Sequence, residues 1–359
     1  MSELPSEDVL QTALRVVGRD PQLRARMIAE CKVIERTLKY LPNHSIRDEV
    51  TAPIVDALHA DVGILRKVLS TGLEFDFHYR SKIAREFVMA EPENPDHVWE
   101  PQTTKLLVHL AEGARNVIIG GGYFGDQALP VARQLRDGTC HVFELNSEQA
   151  EMLSHNARLN SINNVVVNRV GLWNDDNTNL SLQGDDSFAT AKVTGQGAAL
   201  GSNTITIDSY VKVHGIKKVD LIMLDIEGAE INALKGADEQ LSREPDESPD
   251  IVFEVHRHYV DWSNGLRRTP IVSYLLDRGY IIHAVRDFQA NVAMGDKPIE
   301  LIPIDDVHLD GPPHGFNLLA VKRPEVLRAG LFRFCKGVSP KLLFHKSPAL
   351  HHPIDGLSK

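Results

Sequence analysis

The chain has 359 residues, more than one average domain needs and enough for an α/β domain with a smaller unit attached. Its 42% hydrophobic and 25% charged residues are the balance of a soluble globular protein whose core needs no disulfide or metal staple. A formal net charge of −10 argues against a nucleic-acid backbone as main partner, because such binders carry a basic excess. No run approaches the roughly 18 unbroken apolar residues of a membrane span, and the acidic start Met1-Ser2-Glu3 lacks a signal peptide's apolar segment. The cysteines Cys31, Cys140 and Cys335 are widely spaced and odd in number, which fits a reducing compartment; the expected location is the cytoplasm.

Residues 1–95 read as a helical region. Asp20-Pro21 is an N-cap followed by proline at the first helical position, and Leu23, Met27, Ile28, Cys31, Ile34 and Leu38 recur at helical spacing behind it. Leu58, Val62, Leu65 and Leu69 predict a second helix ending at Gly72. A third helical stretch, Tyr79 to Val88, leads into the boundary Glu91-Pro92-Glu93-Asn94-Pro95. These helices are expected to pack or to pair two copies of the chain, and to do no chemistry.

From Asn116 short apolar runs alternate with helical stretches: Val117–Ile119, Val142–Phe143, Val165–Val170, Leu221–Leu224, Ile251–Val255 and Ile281–Val285. Strands separated by helices predict a doubly wound parallel sheet over residues 96–322. The last run, Phe316 to Val321, follows Pro312-Pro313-His314-Gly315 without a long helix between, so it is expected to enter antiparallel, as an appended edge strand. Residues 323–359 are rich in Lys and Arg and read as a solvated basic tail.

The glycine loop carries the first chemical signal. Gly120-Gly121-Gly122-Tyr123-Phe124-Gly125 follows the run Val117-Ile118-Ile119 and opens the helical stretch Gln127 to Leu135. Glycine lets a cofactor approach bare backbone, and a helix N-terminus offers unpaired N–H groups. Glu144 ends the next apolar run, where an acid can accept ribose hydroxyls. This pattern fits an adenosine cofactor of either kind, NAD or S-adenosylmethionine. No tyrosine has a lysine four positions later, so the short-chain dehydrogenase dyad is missing.

A second segment separates the two. Val219-Asp220-Leu221-Ile222-Met223-Leu224-Asp225-Ile226-Glu227-Gly228 places Asp225 and Glu227 past a buried strand, facing the crevice where doubly wound sheets bind ligands. This segment, with Ala233-Leu234-Lys235-Gly236-Ala237, the glycine loop, Phe143-Glu144, and Asn156 with Leu159-Asn160, resembles the FkbM family of methyltransferases over roughly Asn116 to Val285. The resemblance implies a class I methyltransferase fold, a Rossmann-like doubly wound sheet with an antiparallel last strand. It also implies S-adenosylmethionine as donor, and O-methylation of a sugar or natural-product hydroxyl. By the same resemblance Gly121, Gly122 and Gly125 line the methionine end of the donor and Glu144 holds the ribose. The cofactor set is then Gly120, Gly121, Gly122, Gly125, Asp126, Glu144 and Asn146. The family usually carries an acid at the end of the first strand, where this chain has Ile119; Asp126 could compensate, or the donor's amino group could find another partner.

The run Ile251-Val252-Phe253-Glu254-Val255-His256-Arg257-His258-Tyr259 puts Glu254, His256 and His258 on one side while the chain stays extended. His256 is the expected general base, with Asp225 as its orienter or a substrate ligand and Glu227 beside them. Asp225, Glu227 and His256 could instead hold a divalent cation, which is not the favoured reading. Trp99-Glu100 and Tyr79 to Lys82 could fold over the donor, and Trp262, Arg286, Asp287 and His314 lie where acceptor contacts are expected. The partner expected is therefore a small hydroxylated acceptor, with no nucleic acid and no membrane. The competing readings are an NAD-dependent oxidoreductase and a non-catalytic nucleotide-binding scaffold.

Overall fold

Asp20 accepts the N–H groups of Gln22 and Leu23, with Pro21 behind it, so the second helix starts where its capping residues say. The computed structural model describes residues 7–38, 46–184, 189–196, 202–288, 292–309, 315–327 and 330–342. The chain begins with α1 (Glu7–Gly18), α2 (Pro21–Thr37), a π-helical turn Arg47–Thr51 and α3 (Ala52–His59). Ile28, Cys31, Val55, Leu58 and Met89 form the small core that joins them.

The expected second helix is a correction. The chain after α3 forms the antiparallel hairpin β1 (Ile64–Val68) and β2 (Glu74–His78). Leu65 and Leu69 are four apart, which coincides with a helical repeat, but Gly63 follows the end of α3 and β-branched Ile64 and Val68 favour the strand. Gly72, expected as a helix cap, takes φ +82° in the hairpin turn. Phe75 and Phe77 then bury against Phe87 and Phe124, ring to ring at 5.3–6.3 Å, contacts of about 0.5–1.5 kcal/mol each beyond their area. Two more helices, α4 (Lys82–Val88) and α5 (Pro101–Leu110), lead to the sheet.

The α/β unit runs β3 (Asn116–Gly120), α6 (Ala128–Gln134), β4 (Thr139–Phe143), α7 (Ser147–Leu159) and β5 (Val165–Asn168). An insertion follows, β6 (Gly171–Leu172), β7 (Thr178–Gln183), β8 (Thr190–Gln196) and β9 (Ser202–Ile205), forming a separate four-stranded sheet in the order β6-β9-β7-β8. The main sheet resumes with α8 (Ile207–Val213), β10 (Leu221–Leu224), α9 (Glu230–Lys235), α10 (Asp238–Leu241), β11 (Asp250–His256), α11 (Pro270–Leu276) and β12 (Ile281–Val285). It closes with β13 (Asp287–Phe288), β14 (Ile299–Pro303), β15 (Gly315–Val321), β16 (Phe332–Phe334) and β17 (Lys341–Leu342).

The nine-stranded sheet has the order β16-β14-β12-β15-β11-β10-β3-β4-β5. β3, β4, β5, β10 and β11 are parallel, and β15 runs antiparallel between β11 and β12. The order reverses beside β3, and that switch point is where a doubly wound sheet opens a crevice. This is the class I methyltransferase arrangement, with β14 and β16 added at one edge. β15 is antiparallel as expected, but it is no edge strand: Phe316 to Val321 are all buried, because neighbours pair on both sides and layers cover both faces.

The basic C-terminal segment also departs from the solvated tail expected. Phe332 and Lys341 are buried, β16 pairs with β14, and β17 pairs with β13. Residues 343–359 of that tail lie outside the described residues, as does His314. No helix among the described residues is long and apolar enough to cross a membrane.

Candidate active site

A cavity of about 350 Å³ opens at the carboxyl ends of β3, β4, β10 and β11, within the size range of small-molecule and cofactor sites. Its floor is the glycine loop. Gly121 has φ +85°, and a Cβ there would lie 1.9 Å from the carbonyl oxygen of Asp225, so no other residue fits. That close approach is held on both sides: Gly121 N–H donates to Phe143 O (2.9 Å) and Asp225 N–H to Gly120 O (3.0 Å). Gly120 and Gly121 line the cavity. Gly122 and Gly125 do not; their missing Cβ atoms make room for Val142 and Leu153, and for Leu129 and Leu153. Those two glycines serve packing of the loop on β4, α6 and α7.

Glu144 stands at the end of β4, its Oε2 accepting Tyr123 N–H (2.9 Å) and its Oε1 accepting Asn146 N–H (2.7 Å). These bonds fix the carboxylate at the cavity wall. A carboxylate has about four acceptor sites, so it can hold both amides and still receive a hydroxyl. Asn146 lines the cavity and caps α7, accepting Glu148 and Gln149 N–H. Beyond Glu144 the wall is apolar: Phe143, Leu145, Val170 and Leu172, with Leu180, Leu182, Ala189 and Ala191 from the insertion. No pattern in the sequence signals that this insertion lines the cavity, because β7 and β8 belong to neither the helical nor the parallel-strand pattern.

The opposite end is polar and charged, lined by Lys82, Trp99, Glu100, Asp126, Gln127 and Lys341. Asp126 is buried, and burial, with Glu100 and Glu144 adding to it, pushes its carboxyl up to about 7. Glu100 takes φ 44° and receives Asn317 Nδ2 (2.6 Å), Gln127 Nε2 (3.4 Å) and Lys341 Nζ (3.3 Å). Burial works against the charge on Lys341, but Glu100, Asp287 and Glu254 outweigh it and raise its pKa. Lys341 was missed by the sequence reading, since a lysine in a basic tail gives no hint that its strand returns to the site.

The third wall holds Asp225, Glu227, Glu254 and His256. A carboxylate oxygen from each of Asp225, Glu227 and Glu254 lies within 4.8 Å of the others. Burial raises Asp225, and Glu254 and Glu227 raise it further; burial and Glu227 likewise raise Glu254. Glu227 is pushed up to about 7 by burial and by Glu230. It sits at φ 52°, a strained position for a residue with a Cβ, where buried Glu230 accepts the N–H groups of Ile226 and Gly228 and fixes the loop. Tyr259 Oη donates to its Oε2 at 3.3 Å. Three such acids can share protons or hold a divalent cation. The trio that could hold one contains Glu254 in the place where the sequence reading put His256.

His256 ends β11 beside these acids, but the bond that fixes its ring comes from its own turn. His258 N–H donates to His256 Nδ1 at 3.1 Å, so the neutral ring carries its proton on Nε2. His258 lies beyond the strand and packs on His256 with ring centres 4.7 Å apart and planes tilted by 31°. The other acceptor candidates turn inward. Trp262 packs on Phe316, Arg286 pairs with Glu300 at 2.9 Å, and Asp287 caps α5 by accepting Gln102 and Thr103 N–H.

Residues 119–282 match the Methyltransferase FkbM domain. The similarity is to a domain of the FkbM methyltransferases and spans a little less than half of the chain. The match begins at the glycine strand, ends in β12, and takes in the glycine loop, Glu144, Asp225, Glu227 and Glu254. No curated protein matches the sequence. Among solved structures, the chain is similar to an O-methyltransferase from Bacillus cereus in complex with SAH, at 17% identity and a TM-score of 0.36, over 68% of this chain and 92% of that one. It is also similar to the O-methyltransferase TomG of Streptomyces achromogenes, involved in tomaymycin synthesis and in complex with SAM, at 14% identity and a TM-score of 0.35, over 68% and 91% of the two chains.

Proposed function

We propose that this FkbM-type domain binds S-adenosylmethionine and methylates a hydroxyl of a small polyhydroxylated acceptor, such as a sugar or natural product. The observation that carries the reading is one cavity with two chemistries: bare glycine backbone and Glu144 on one wall, three convergent carboxylates on another. The donor fits the residues present. Gly121 leaves a cradle that a Cβ would fill, Glu144 stands ready for ribose hydroxyls, and Phe143, Leu145, Val170 and Leu172 offer an apolar slot for a base. Bound S-adenosylmethionine supplies an electrophilic methyl group on sulfur. The chain's own work is to place the acceptor oxygen in line and to take its proton. As the acceptor oxygen takes the methyl group, the proton it gives up would pass to the acid cluster of Asp225, Glu227 and Glu254.

Glu227 is the best placed acceptor of that proton. It lines the cavity, and a carboxyl near 7 is matched to general-base work at neutral pH. His256, the base expected from sequence, has its Nδ1 lone pair engaged by His258 and presents an N–H donor, which suits holding an acceptor oxygen. The test is methyl transfer from labelled donor to a panel of sugars and hydroxylated metabolites. Glu227→Gln should lower turnover by roughly 10²–10⁴-fold with donor affinity nearly unchanged, and His256→Ala by less. The reverse ranking would return the base role to the imidazole. Turnover abolished by chelator and restored by a divalent ion would assign the cluster to a cation instead. A protein that binds NADH in preference to S-adenosylhomocysteine would remove the methyltransferase reading.

A further inference from the structure

The charged end of the cavity is more than a polar lining. Lys82 opens α4, and the residue before it, Ser81, shares a hydrogen bond at 2.8 Å with the hydroxyl of Tyr123 in the glycine loop. That bond fixes the start of α4 against the loop and brings Lys82 to the cavity beside it. Burial lowers the Lys82 pKa, with Asp48 and Glu86 opposing, yet the ammonium forms no hydrogen bond or ion pair with any described residue. A half-buried ammonium without a hydrogen-bonded anion leaves room for a ligand to supply one. Asp126 has the converse need, because backbone N–H groups of Gln127 and its own residue bond it but no cation among the described residues does. It is buried at the end of the same loop, and the charges that weigh on it, Glu100 and Glu144, are both negative. Glu100 is joined to Asp126's neighbour Gln127 and to Lys341, and Lys341 also weighs on Lys82, so these groups share one end of the cavity.

One ligand satisfies both needs: an α-amino-acid zwitterion, carrying an ammonium and a carboxylate on one carbon. We infer that Lys82 takes the carboxylate of the donor's amino-acid end, while Asp126, with Glu100 behind it, takes the ammonium. The inference rests on the reading of the cavity as an S-adenosylmethionine site. Ile119 cannot contribute, because its apolar side chain is buried in the hydrophobic core and does not line the cavity. It also ties the donor site to two segments outside residues 119–282, the start of α4 and the C-terminal strand β17 that brings Lys341 to Glu100.

Calorimetry on the full chain with two ligands tests it. S-adenosylhomocysteine carries the amino-acid end, and 5′-methylthioadenosine has the same adenosine and thioether without it. Lys82→Met and Asp126→Asn should each weaken S-adenosylhomocysteine by about 10- to 100-fold, the scale of a hydrogen bond to a charged group. Neither should change 5′-methylthioadenosine, which also reports that the variant is folded. Lys82→Arg should keep most of the affinity. Equal losses for both ligands, or no loss for either, would overturn the inference while leaving the donor reading intact. A wild-type protein that binds neither ligand would overturn the donor reading first, and this inference with it.

Discussion

Asp126 shows how one side chain ties function to stability. Its carboxyl rests at about 7 in the folded protein, against about 4 in an unfolded chain. The folded state therefore holds a proton that the unfolded state releases between these values. The stability this group gives is complete below about pH 4 and is lost as pH rises through about 7. Asp126→Asn keeps the uncharged form at every pH. It should match the wild type near pH 4 and exceed it at pH 8, by on the order of 2–4 kcal/mol. Denaturant unfolding at the two pH values measures this directly, and equal stability at pH 8 would show that the carboxyl is not held above its ordinary range. The same variant is expected to bind S-adenosylhomocysteine poorly, so the acid would be kept for the ligand at a cost to the fold.

At the scale of elements, the parallel core was legible because its signals are local. Apolar runs between helical stretches gave β3, β4, β10 and β11, and the residues just past them gave the glycine loop, Glu144 and Asp225. What could not be read depends on contacts between distant segments. The pattern at Leu65 and Leu69 fits a helix or a strand equally well, and only Phe75 and Phe77, packed on Phe124, decide for the hairpin. Glu254 became a site residue through its place beside Asp225, and Lys341 through the pairing of β17 with β13. Asn156, quoted for the family resemblance, proves to be a clamp. Its side chain accepts Asp76 N–H and donates to Asp76 O and Phe124 O, each at 2.9 Å, joining α7, the hairpin and the glycine loop. Asn156→Ala leaves buried backbone groups unpaired and should cost about 1–3 kcal/mol, read as a lower denaturation midpoint. An unchanged midpoint would mean that the hairpin is held by its rings alone.

For the whole molecule, the hairpin and the N-terminal helices stand in different relations to the catalytic body. The helices α1 to α3 attach through the small core around Val55 and Leu58 and through Arg47, whose guanidinium pairs with buried Glu86 at 2.7 Å. They pack through that core, and they leave Val9, Leu10, Val16, Leu23 and Val33 at 42–57% exposure, apolar surface on which the other role expected of them, pairing of two copies, can be tested. The hairpin instead belongs to the core that supports the glycine loop, with Phe75 and Phe77 fully covered beside Phe124. Two truncations separate these roles. Removing residues 1–62 should leave a cooperatively unfolding protein that binds S-adenosylhomocysteine, with lower solubility and a smaller mass by light scattering if the helices pair two copies. Removing residues 1–80 also takes away the hairpin and Ser81's neighbour strand, and should abolish both binding and cooperative unfolding. The order of the two outcomes decides the matter. A protein that still binds after the longer truncation would place residues 1–80 outside the donor site, and loss of binding after the shorter one would make the helices part of it.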